Sequence, residues 1–253
     1  MKYVISSFVA VLLIAGSITF ASAYASSNGL ILDAANIDPN DKKSLRNGAK
    51  IYVDYCLGCH SLSFMRYSRI AKDLDISEDD INEQLIFTGA KFADPMKIAM
   101  QAGDASRWFG TQPPDLSVVS RSRSVDWLYT YLRSFYQDES RPWGVNNSVY
   151  KDVAMPHVLW ELQGLQERIV KTSHDNNEQS AQSQHSSFRL VQTGKQTATE
   201  FDRTVRDIVN FLHYVGEPSK AKREALGSWV IGFLFIFLVV VYLLKKEYWK
   251  DIH

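Results

Sequence analysis

The sequence predicts a mainly α-helical domain tied to a membrane by one C-terminal helix. Three observations predict it. Residues 41–55 and 200–215 carry apolar side chains at helical period. Residues 226–244 form an apolar run without a charge. Residues 1–25 read as an export signal, which leaves residues 26–225 as one domain of a size that a single core supports.

In the signal, Lys2 supplies the charge, and residues 4–14 are apolar except for Ser6 and Ser7. Ala21-Ser22-Ala23 and Ala23-Tyr24-Ala25 are candidate cleavage sites. The alternative, an uncleaved anchor, is disfavoured by the short, serine-containing apolar core. At about 1.5 Å per residue, the run 226–244 just spans a hydrocarbon layer of about 30 Å. Trp229 and Trp249 suit the two interfaces. Basic residues flank both ends (Lys220, Lys222 and Arg223; Lys245, Lys246 and Lys250), so charge alone does not orient the span. Export does: it puts the domain outside the cell membrane and the tail 245–253 in the cytoplasm. The formal net charge is zero, which suggests no nucleic-acid partner.

In the helix expected over 41–55, Leu45, Gly48, Ala49, Tyr52 and Cys56 share one stripe. A glycine inside a helix costs about 1 kcal/mol relative to alanine, and the usual compensation is close approach of another backbone. Residues 200–215 offer the partner: Phe201, Val205, Ile208, Val209 and Leu212 share a face, with Gly216 and Pro218 as stop signals. A short helix is expected over 77–87. Its Ser77-Glu78-Asp79-Asp80 start reads as an N-cap with acids at the positive helix end, in preference to a docking patch for a basic partner. Residues 124–136 read as a helix with Trp127, Leu128, Tyr131, Leu132 and Phe135 inward. Residues 174–187 read as a polar loop. Residues 188–199 read as a short hairpin centred on Thr193-Gly194-Lys195.

The chemistry lies in Cys56-Leu57-Gly58-Cys59-His60, which holds both cysteines of the chain. Cys-x-x-Cys-His is the attachment signature of a c-type haem. Two thiols at this spacing can each add to a vinyl group of one porphyrin, and the adjacent imidazole then faces the iron. A thioredoxin-type site would want a strand before the motif and a helix after it. A structural zinc site would want four ligands, and no second Cys or His pair is regularly spaced. A simple disulfide leaves His60 without a role.

The second axial ligand decides whether the iron carries electrons or binds small ligands. Met65 is too close to His60 to reach the distal face. Met96 and Met100 lie in a segment of helical character and are possible ligands. Met155, in Ala154-Met155-Pro156, has a stiffening proline beside it and is preferred. His157 competes for the same place, but a polar role near the haem or at an interface is preferred for it. His174 and His185 fall in the polar loop. His213 is expected on the exposed side of its helix, and His253 in the cytoplasmic tail.

Gly48, Tyr52 and Cys56 resemble the N-terminal helix of class I cytochromes c, and residues 207–212 resemble the terminal helix that crosses it there. A longer ordered set resembles the cytochrome c1 family: Cys56 to Leu62, Met65-Arg66-Tyr67, Trp108-Phe109-Gly110, Pro113-Pro114-Asp115-Leu116-Ser117, Arg121-Ser122-Arg123, Ala154-Met155-Pro156-His157 and Tyr248-Trp249-Lys250-Asp251. The Trp-Phe-Gly and Met-Pro-His forms look like its proteobacterial branch.

The resemblance implies a class I cytochrome c-like haem domain with insertions and a short β-hairpin, plus one C-terminal transmembrane helix. It implies one covalent haem c, with His60 and Met155 as iron ligands and Arg123 on a propionate. A solvated surface arginine is the plain alternative for Arg123. Pro113 and Pro114 would wall the haem edge, or simply stiffen a loop. Trp127 falls near a position that is often tyrosine in relatives. The implied function is electron transfer from a Rieske iron–sulfur protein to cytochrome c, beside cytochrome b, in a quinol–cytochrome c oxidoreductase. That complex is dimeric in the family. The chain would then be a redox subunit, not an enzyme alone. Two rivals stand beside this reading: a free-standing membrane-anchored cytochrome, and a haem sensor with an open sixth position.

Overall fold

Helix α1 (Lys42–Tyr55) and helix α8 (Ala198–Gly216) cross at a glycine, and the remaining elements are arranged around that crossing. The protein is represented by a computed structural model that describes residues 31–169 and 187–250. Apart from Ile31 these belong to one compact unit. The signal expected over 1–25, the polar loop up to residue 186 with His174 and His185, and His253 lie outside the described residues.

Asp41 caps α1 by accepting from the Lys43 and Ser44 amides at 3.0 and 3.1 Å. Leu45, Gly48, Ala49, Tyr52 and Val53 are its buried residues, the stripe expected from the sequence. Helix α8 opens with a capping box: Glu200 N–H donates to Thr197 Oγ1, and Thr197 N–H donates to Glu200 Oε2. It buries Phe201, Val205, Ile208, Val209 and Leu212, as expected, together with Asp207, Asn210 and Phe211. A Cβ placed on Gly48 would lie 2.0 Å from the Asp207 carbonyl oxygen. The carboxylate of Asp207 stitches the crossing from the side. It accepts from Ser44 Oγ at 2.7 Å and from Asn47 Nδ2 at 2.6 Å.

Strand β1 (Leu62–Arg66) pairs with β2 (Pro95–Met96), so Met96 is extended and not helical. Helices α2 (Tyr67–Leu74), α3 (Glu78–Gln84), α4 (Ala102–Phe109) and α5 (Val119–Ser122) follow the chain order. Ser77 caps α3 as expected, and α3 ends at Gln84, short of residue 87. Helix α6 (Val125–Arg133) is capped by Ser124. It stops before Phe135, which the sequence reading kept helical. Phe135 opens β3 (Phe135–Gln137), paired antiparallel with β4 (Val145–Asn147). The backbone there bonds to another strand in place of the preceding turn.

Helix α7 (Trp160–Gln163) leads into β5 (Gly164–Ile169), which pairs antiparallel with β6 (Ser187–Thr193). The hairpin expected within 188–199 is therefore corrected. Residue Gly194 is not its turn; a Cβ there would meet the Leu162 carbonyl oxygen at 2.2 Å. That glycine permits close backbone contact with the segment before β5. The main core gathers α1, α2, α6 and α8 side chains. A second, small cluster consists of Phe135, Val145 and Val153, with Tyr131 and Met155 packed on it. Tyr131 touches both clusters.

Helix α9 (Lys220–Tyr248) carries the apolar run and extends beyond it at both ends. Within it, Lys222–Tyr248 is long and apolar enough to cross a membrane, with a mean hydropathy of 2.5 and none of the apolar window buried. So much continuous apolar surface marks a membrane or partner contact.

Substituting Gly48→Ala pushes a methyl group into the backbone of α8. It lowers stability by about 1–3 kcal/mol, seen as a fall of several degrees in Tm for a domain of this size. An unchanged unfolding temperature would show that the crossing yields without strain.

Candidate functional site

The last turn of α1 delivers Cys56 to the site. The Cys56 and Leu57 amides donate to Tyr52 O at 2.8 and 2.9 Å. The Cys59 and His60 amides then close a turn on Cys56 O at 3.0 and 2.9 Å. Tyr52, buried against Phe211 of α8, donates its hydroxyl to His60 O at 2.6 Å. The motif is thus fixed by the residue one helical turn upstream.

Cys56 and Cys59 are not joined by a disulfide. Burial, with Cys59 adding to it, pushes the Cys56 thiol up to about 12, and burial raises Cys59 as well. Both shifts run opposite to the lowered pKa of an activated redox Cys-x-x-Cys. A helix precedes the pair and an extended segment follows it, the reverse of the thioredoxin order. Among the described residues no cluster of three or more His, Cys, Asp or Glu side chains could hold a metal ion.

His60 is oriented by one bond: its Nδ1 lies 2.8 Å from the Pro114 carbonyl oxygen. A carbonyl only accepts, so Nδ1 carries the proton and Nε2 keeps its lone pair. Burial lowers the pKa of this ring, against the opposing pull of Pro114 O and Asp115. The supporting loop is zipped to the segment after the motif. Leu116 N–H donates to Ser61 O at 2.9 Å. Ser63 and Ser117 amides donate to the Asp115 carboxylate at 2.9 and 2.8 Å. Phe64 N–H donates to Ser117 Oγ at 3.1 Å. Pro113 is half-buried and Pro114 is exposed. The sequence reading gives these prolines as a wall of the haem edge or a stiffened loop, and the Pro114 carbonyl adds a contact to His60. It also passed over Asp115, although an aspartate after paired prolines is a recognisable turn former.

Met65 and Met96 are buried in the main core, on β1 and β2. Met100 is half-buried between β2 and α4. Met155 is half-buried on the small cluster, and Tyr131 Oη donates to its Sδ at 3.4 Å. Sequence reasoning turned Tyr131 inward but did not pair it with Met155. His157 is buried and stacked on Phe135, and burial holds its pKa down to about 4. His213, expected to be exposed, is half-buried beside Lys220.

Arg123 is exposed, with its guanidinium 5.0 Å from the Trp127 ring centre. Trp127 in turn stacks on Tyr131. So Arg123 and Met155 are joined through one line of rings, while the stem of Arg121 lies near Gly216 at the end of α8. The donors suit a c-type haem: two cysteine sulfurs on one turn, an imidazole committed through Nδ1, and a thioether beside an apolar cluster.

Asp115 has a depressed pKa: burial pushes it up, but hydrogen bonds from Ser117 and Ser63 outweigh that. Its stabilising effect is present above the usual carboxylate range and is lost as pH falls through the lower folded-state value. Asp115→Ala should therefore weaken the fold near neutral pH by no more than about 1 kcal/mol, because the carboxylate is exposed and its interactions are screened by solvent. Denaturant titrations should show the gap from wild type closing below about pH 4. A gap of equal size under acid conditions would contradict this.

Residues 34–252 match the Cytochrome C1 family. Cytochrome c1 of the proteobacterium Allochromatium vinosum is 50% identical over 229 residues, covering 90% of this chain and 93% of that one. A protein of Nitrosomonas europaea named ammonia monooxygenase gamma subunit is 49% identical over 233 residues, covering 91% and 93%. Cytochrome c1 of Blastochloris viridis is 25% identical over 243 residues, covering 84% and 82%. Matched over nearly its whole described length, the chain belongs to the cytochrome c1 family.

Proposed function

We propose that this protein is the haem-bearing electron-transfer subunit of a quinol–cytochrome c oxidoreductase. It would take one electron from a Rieske iron–sulfur protein and pass it to cytochrome c. The observation that carries the reading is the His60 Nδ1 bond to Pro114 O at the end of the Cys-x-x-Cys turn. It leaves Nε2 unprotonated, the form in which an imidazole binds iron.

In this reading Cys56 and Cys59 hold one haem c through thioether bonds, each thiol hydrogen going to the vinyl carbon that sulfur does not bond. Haem supplies the one-electron iron couple when bound. His60 and Met155 would hold the iron. Arg123 answers a propionate charge with a planar fork of donors. Pro113 and Pro114 would border the haem, with the Pro114 carbonyl orienting His60. No residue moves a proton or attacks a substrate; the chain binds, orients and keeps water from the iron. Residues 1–25 are removed on export, residues 26–225 work on the periplasmic side, residues 226–244 anchor them in the cell membrane, and residues 245–253 face the cytoplasm. Cytochrome b is the neighbour of the anchor, and the complex is a dimer.

The name of the Nitrosomonas europaea relative points to a different assembly. The haem ligation proposed is the same in either, so partners must separate them, as they also separate a free-standing cytochrome. Tagged at the cytoplasmic end, the protein should co-purify with a Rieske protein and a cytochrome b and support quinol-driven reduction of cytochrome c. Recovery of the haem protein alone would favour the free-standing form.

Covalent attachment predicts peroxidase-active haem stain on a denaturing gel, lost when Cys56 and Cys59 are both changed to alanine. Met155→Leu should abolish the weak near-infrared band of methionine-ligated ferric haem and let the ferrous form bind carbon monoxide. A wild-type spectrum in that variant would remove Met155 from the iron.

A further inference from the structure

Two residues beyond Met155, the His157 ring lies flat on Phe135, with ring centres 4.9 Å apart and planes 1° from parallel. The ring is buried; its Nε2 meets no partner at bonding geometry among the described residues, although the Gln163 side chain is close enough to act on the ring. Phe135 meets Tyr131 edge-on at 5.3 Å. Tyr131 stacks on Trp127 at 4.9 Å, with planes 9° apart. Trp127 and Tyr131 are one turn apart on α6, and Phe135 continues the column just past the helix end. The four rings form a column with His157 at its far end. Met155 joins the column at Tyr131, which donates to its sulfur.

A methionine side chain is unbranched and turns about three bonds, so it does not aim its own sulfur. Residues 153–157 belong to no helix or strand. The direction of Met155 therefore depends on where the chain is pinned around it. Pro156 stiffens the link between Met155 and His157. A displacement of the His157 ring is passed to Met155, because so short a link has little freedom to absorb it.

We propose that His157 is a positioning residue for Met155: by stacking on Phe135 it closes the aromatic column and holds the sulfur in place. The proposal rests on the reading of Met155 as sixth ligand. The holding contact is face-to-face ring area, so a phenyl ring serves in its place and an aliphatic side chain does not. The ring nitrogens take no part.

The test uses the full-length haem-loaded protein in detergent, with variants H157F, H157A, H157L and M155L. The near-infrared band of the ferric form and carbon monoxide binding to the ferrous form are read at equal covalent haem content. H157F should keep the wild-type band and resist carbon monoxide. H157A and H157L should lose most of the band and bind carbon monoxide. The leucine variant keeps apolar bulk in the core, so it answers the question if the alanine variant fails to accumulate haem. A wild-type band in the aliphatic variants overturns the proposal. Loss of the band in H157F overturns it too, because a ring nitrogen and not the stack would then be acting. A band that survives M155L removes the premise instead, and so separates failure of the ligand reading from failure of the anchor.

Discussion

The crossing of α1 over α8 at Gly48 is the constraint on which the rest of the structure depends. With no side chain at Gly48, the α1 backbone can lie against the Asp207 carbonyl. The approach brings Tyr52 against Phe211 and sets the height and rotation of the last turn of α1. That turn ends in Cys56, and Tyr52 binds the carbonyl of His60. Tertiary packing and the local geometry of the Cys-x-x-Cys-His motif are therefore one arrangement. The intrinsic penalty of a helical glycine, about 1 kcal/mol, is offset by a face of five large apolar side chains on α8, each contributing about 1.5–3 kcal/mol on burial.

From this base the two candidate axial ligands are held by different means. His60 is fixed by hydrogen bonds, through Pro114 O and the zip of residues 114–117 to residues 60–64. Directional bonds suit an imidazole, because the bond at one nitrogen sets the state of the other. Met155 is held by shape, on a small apolar cluster and beneath a tyrosine hydroxyl. A thioether makes only weak hydrogen bonds, so packing must aim it. The two clusters meet at Tyr131.

Charge is distributed to match. Cys56 is buried and Cys59 and His60 are half-buried, and burial disfavours the charged form of each, whereas Arg123 and Asp115 lie at the exposed rim. The membrane helix is wholly exposed, so water is not its natural surroundings and lipid or an apolar partner must complete it.

Local features were legible in the sequence because they depend on neighbours a few residues apart. The Cys-x-x-Cys-His motif, the caps at Asp41 and Ser77, the helical stripe of 200–215 and the apolar run of α9 all belong to this kind. The glycine crossing was also legible, since a helical Gly48 demands a close partner and one helix offered the face. What depended on distant pairing was not. The end of α6 was misplaced because Phe135 stands opposite Asn147 in the β3–β4 pair, and the hairpin was misplaced because β6 pairs with β5 across residues 170–186. The bond from His60 to Pro114, the contact of Tyr131 with Met155 and the stack of His157 on Phe135 join residues separated by 54, 24 and 22 positions. Chain order carries the chemical identity of each partner, but only the packed structure brings such partners within bonding distance.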